Sequence, residues 1–117
     1  MAWVTLVCLA LILWAACGAV MTVARRTWTL ETALRVHLAA ATVIAFLISA
    51  VHKMLAPDFP PTLRAAAITG LIVILDATVV APLFEHSYAM FRSVIGTWAA
   101  FAAIFLASWA AGIWIPA

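Results

Sequence analysis

Polar side chains interrupt this chain in only a few places, and between the interruptions run four long apolar stretches, 2–23, 32–55, 63–84 and 93–115. The first break is Ala24-Arg25-Arg26. The second is Pro57-Asp58-Phe59-Pro60-Pro61, and the third is the polar part of Glu85-His86-Ser87 through Arg92. About 20 apolar residues cross the hydrocarbon core of a bilayer as a helix, so each stretch is long enough to span it. None alternates apolar and polar positions with the period of a barrel strand, which leaves helices as the spanning structure. Short loops make consecutive helices antiparallel neighbours. The predicted fold is an all-α integral membrane protein, a single domain over 1–117 forming a four-transmembrane-helix antiparallel bundle with both termini on one side.

Within the spans, small residues recur at four-residue intervals. Ala41, Ala45 and Ser49 form one ridge, and its extension reaches His37 in one direction and Lys53 in the other. Ala99, Ala103, Ala107 and Ala111 form a second. Such ridges let helix backbones approach closely in lipid, so these residues are predicted to pack helices. In the third span Thr62 is the expected N-cap after a double proline. Pro82 removes one helical hydrogen bond and predicts a loosened turn between Thr78 and Phe84. Trp3, Trp28, Trp109 and Trp114 lie near span ends, as in an interfacial aromatic belt.

Composition agrees: 69% of residues are hydrophobic and 9% charged, far from the balance of a soluble domain. The net charge of +2 comes from scattered residues without a basic stripe, so a nucleic-acid partner is not expected. Arg25, Arg26, Arg35 and Arg92 fall on one side of the predicted bundle and Lys53 and Arg64 on the other. That bias puts the first and third loops in the cytoplasm and both termini outside. The expected location is a bacterial inner (plasma) membrane, crossed several times. No basic residue precedes the first apolar run, and Arg25 and Arg26 follow it, as for a retained helix rather than a cleaved leader. Cys8 and Cys17, nine positions apart on one helix, cannot bridge.

The chemistry concentrates at Asp76, a single carboxylate within GLIVILDATVVAP. It lies about 18 Å from one end of its span and about 12 Å from the other by helical rise. A charged aspartate there costs about 2.5–3.5 kcal/mol, so a partner or a proton is expected. His37, about 9 Å deep from the cytoplasmic side, is the expected partner on a neighbouring helix, with Thr42 and Thr97 as alternatives. Glu85 and His86 extend the candidate proton-coupling set toward the cytoplasmic mouth, where Glu31 and Arg35 form a favourable i,i+4 pair. No metal-binding or nucleotide-binding motif and no catalytic constellation is present. No cofactor is expected, although one haem through His37 or His52 and a partner's residue stays open.

Three functional classes follow. The first is a small proton-linked transporter or channel-like protein acting through Asp76 and His37. A chain this short has no room for a pathway through one copy, so this class implies a homo-oligomer. The second is a non-catalytic structural or assembly subunit bound to a membrane-protein partner. The third is a membrane redox subunit holding one haem or a quinone. In length and number of spans the chain resembles small multidrug-resistance transporters, but their essential glutamate lies in the first span, and this first span has no acid.

Overall fold

The computed structural model describes residues 2–84 and 97–115, and those residues are helical apart from short turns. Helix α1 is Ala2–Thr27, α2 is Leu30–Leu55, α3 is Pro61–Leu75, and α4 is Ala99–Trp114. A π-helical segment, Asp76–Phe84, continues α3. Glu85, His86, Arg92 and the start of the fourth predicted span lie outside the described residues. Among the described residues three helices are long and apolar enough to cross a membrane: α1, α2, and α3 with its continuation. The molecule measures 41 × 24 × 20 Å, its long axis close to the full thickness of a bilayer.

Local chemistry explains the helix ends. The Thr29 hydroxyl caps α2 by accepting from the Thr32 amide. Helix α3 starts two residues earlier than expected: Pro61 is its first residue and Pro60 its cap, with no side-chain capping bond. Proline's fixed φ is already helical and its missing N–H is no loss at that position, so Thr62 is not needed as a cap. The winding widens at Asp76, ahead of Pro82. The Thr78 hydroxyl donates to the Ile74 carbonyl at 2.7 Å, supplying a donor to a carbonyl within the loosened ladder.

The interior mixes many alanines with a few large apolar side chains such as Leu6, Leu13, Ile68 and Phe101, and the surface carries large apolar ones. Ala10, Ala24, Ala33, Ala41, Ala45, Ala65, Ala100 and Ala111 are buried, whereas Val4, Ile12, Val43, Leu47, Ile74 and Leu106 are more than half exposed. This arrangement suits a chain surrounded by lipid, where helices associate by close backbone approach. Helix α2 packs on α1 and α4, and α3 packs on α4 and α1. Helices α2 and α3, although consecutive, make at most marginal contact and lie diagonally opposed. The short loop between them brings only their ends together.

Candidate functional site

Asp76 stands at the junction of α3 and the π-helical segment, half-buried. Its Oδ1 accepts a hydrogen bond from Trp14 Nε1 at 3.2 Å, which joins α1 to α3. His37, the partner expected from the sequence, is on α2, across the diagonal; its Nδ1 is buried without a hydrogen-bond partner. The Thr42 hydroxyl donates to the Leu38 carbonyl on its own helix. The difference arises from packing order. The sequence expectation makes α2 and α3 neighbours, but α1 is the helix that faces Asp76. Trp14 carried a signal: a large ring with one N–H donor in an otherwise aliphatic run, which in lipid needs an acceptor.

The packing residues divide. Ala41, Ala45 and Ser49 on α2 are fully buried, and Ala107 and Ala111 on α4 are buried, while Ala99 and Ala103 are only half-buried. The buried stripe of α4 also passes through Ala100, Ile104 and Ser108. Glu31 and Arg35 form the expected surface pair at 2.8 Å.

A second polar cluster sits where the start of α1, the end of α2, the start of α3 and the end of α4 meet. Arg64, on the first turns of α3, is fully buried, as is His52 on the last turn of α2. Arg64 Nε donates to His52 Nδ1 at 2.8 Å, and Arg64 Nη2 donates to the Ala56 carbonyl at 3.0 Å. An arginine only donates, so Nδ1 accepts and the ring proton is on Nε2, which donates to the Ala2 carbonyl at 3.0 Å. Phe59 stacks edge-on against His52 and lies under the guanidinium, 5.7 Å from ring centroid to Cζ. Lys53 Nζ donates to the Gly112 carbonyl, and Ser49 Oγ donates to the Ser108 carbonyl at 2.7 Å. Arg64 also offsets a misfit of its own: a cation near a helix N-terminus is disfavoured, but here it caps the C-terminal carbonyl of α2.

The sequence offers Lys53 and Arg64 only as basic residues of the outer side and His52 only as a possible haem ligand. Their acceptors are mostly backbone carbonyls of distant segments, which carry no side-chain signature. With both ring nitrogens engaged, His52 has no lone pair left for a haem iron. Among the described residues no group of His, Cys, Asp and Glu is placed to hold a metal ion. Compared with protein-family models, curated proteins and solved structures, the chain matches none.

Proposed function

We propose that the chain is a multipass protein of a bacterial inner membrane, crossing the bilayer four times with both termini outside. In this reading it works as a homo-oligomer in proton-linked transport or a channel-like role centred on Asp76. The observation that carries the reading is the setting of that carboxylate. It sits deep in an apolar helix, is held by a neutral indole N–H rather than a cation, and marks the point where α3 changes its winding. Ionisable residues inside membrane helices mark proton and ion pathways. A carboxylate clamped by arginine stays ionised, whereas one held by a neutral donor can exchange its proton. Winding of the π type recurs at functional sites. His37, with a buried Nδ1 lacking a partner, is the second proton-exchanging candidate, and Glu85 and His86 follow the π-helical segment as candidate entry groups.

One observation also favours a structural or assembly role: the Trp14–Asp76 bond ties α1 to α3. Asp76→Asn separates the two readings, because asparagine keeps an oxygen to accept from Trp14 but cannot titrate. In liposomes with an entrapped pH-sensitive dye, the unmodified protein should dissipate an imposed pH gradient. Asp76→Asn should abolish that flux with expression and oligomeric state intact. Flux no greater than in empty liposomes, or flux unchanged by the substitution, overturns the proton reading and leaves the structural one.

A further inference from the structure

We propose that His52 is an acid-operated latch: its neutral form holds the starts of α1 and α3 against the end of α2, and uptake of one proton releases them. The latch follows from an imidazole whose two ring nitrogens have no spare hydrogen-bonding capacity. Nδ1 accepts from Arg64 Nε at 2.8 Å, Nε2 donates to the Ala2 carbonyl at 3.0 Å, and the ring is fully buried. The guanidinium cannot give up a proton, so the 2.8 Å contact exists only while Nδ1 keeps its lone pair. A second proton enters at Nδ1, turns that atom into a donor facing a donor, and sets an imidazolium against a guanidinium.

Few groups face the ring to offset this. From α3 comes Arg64 itself. From α2 comes Lys53, the next residue, turned to the Gly112 carbonyl. Among the described residues α1 offers the Ala2 carbonyl, and α4 contains no ionisable side chain. The loop between α2 and α3 supplies Asp58, exposed and ion-paired with neither Arg64 nor Lys53. Asp58 lines an open groove of about 560 Å³ together with Ala2, Trp3, Ala56, Phe59 and Leu63. The groove gives a displaced guanidinium room and a carboxylate to meet. The cluster therefore has two arrangements: Arg64 on neutral His52, or Arg64 turned outward toward Asp58 once His52 is charged. Because α2 and α3 barely touch elsewhere, this end is where their association can be switched.

The test is a distance measured against pH. Spin labels at Val4 and Leu63, both exposed, report the separation of the α1 and α3 starts in lipid nanodiscs, with Cys8 and Cys17 replaced by alanine. Acidification should shift the distribution to longer distances, with the closed-to-open ratio falling about tenfold per pH unit below the transition, as for uptake of one proton. His52→Gln should hold the short distance throughout. Its amide oxygen and nitrogen are 1,3-related like the ring nitrogens, so one accepts from Arg64 while the other donates to Ala2, and neither titrates. A His52→Gln protein that opens with the same midpoint overturns the proposal. Should that variant not fold, histidine ¹⁵N spectra of the unmodified protein decide. The Nε2–H form of His52 must convert to the doubly protonated form at the midpoint of the distance change, and a mismatch overturns the latch.

Discussion

At the scale of single residues, two side chains owe their positions to groups far away in sequence. Arg64 is enclosed because Gly112 has no side chain: a Cβ there would lie 3.0 Å from Arg64 Nη1 and 3.0 Å from the Pro61 Cβ. Pro61 cannot yield without moving the start of α3, and Arg64 is fixed by His52 and Ala56. Gly112→Ala is therefore expected to destabilise the protein by about 1–3 kcal/mol, the usual cost of overpacking. Gly18→Ala is the control. A Cβ at Gly18 meets nothing within 4 Å, and alanine in a helix interior is favoured over glycine by about 0.5–1 kcal/mol. Denaturation midpoints in detergent micelles should move in opposite directions for the two. The sequence made the place of Asp76 along its helical run legible, because that follows from counting residues. Its bond to Trp14 was not legible, since it depends on which helix turns toward α3.

At the scale of elements, the helices were largely readable, and so were two of the three neighbour pairs, α1–α2 and α3–α4, but not the diagonal placing of α2 and α3. Length and continuous apolarity define α1 and α2 to within a few residues, and proline chemistry explains the start of α3. Pro82 forecast a loosened turn between Thr78 and Phe84, and the widened winding covers it but starts two residues earlier, at Asp76, where local sequence shows only an aspartate between aliphatic residues. Short loops suggested sequential packing, which fails for α2–α3; α2 pairs with α4 through a ladder in which Ser49 and Lys53, one turn apart, donate to the carbonyls of Ser108 and Gly112. Two chemically identical substitutions probe that ladder. Ser49→Ala removes the donor to Ser108 and should cost about 0.6–1.7 kcal/mol, the range for hydrogen bonds between membrane helices. Ser108→Ala leaves the accepting carbonyl in place and removes a buried hydroxyl that has no partner of its own. It should be neutral or stabilising. Equal losses in thermal stability for both would show that the ladder contributes nothing specific.

At the scale of the whole molecule, charge and burial bear together on orientation. The start of α1 and the end of α4 reach the same cluster, since the Ala2 carbonyl meets His52 and the Gly112 carbonyl meets Lys53, so these two helix ends share an end of the molecule with the α2–α3 loop. That end contains Lys53 and Arg64, the two basic residues that weaken the charge bias behind the proposed orientation, and both are drawn inward onto carbonyls. The opposite end carries Arg25, Arg26 and Arg35, all exposed. Among the described residues the exposed basic side chains therefore lie at one end, with Glu31 paired to Arg35, and the Asp58 carboxylate lies at the other. A single cysteine at Asp58 should react with a membrane-impermeant maleimide in intact cells, and one at Trp28 only after permeabilisation, in a background with Cys8 and Cys17 replaced by alanine. The reverse pattern would invert the orientation and turn the His52 cluster toward the cytoplasm. An outward-facing cluster meets external acidity directly, whereas a cytoplasmic one would sample only internal pH, so the labelling result also fixes which compartment the latch senses.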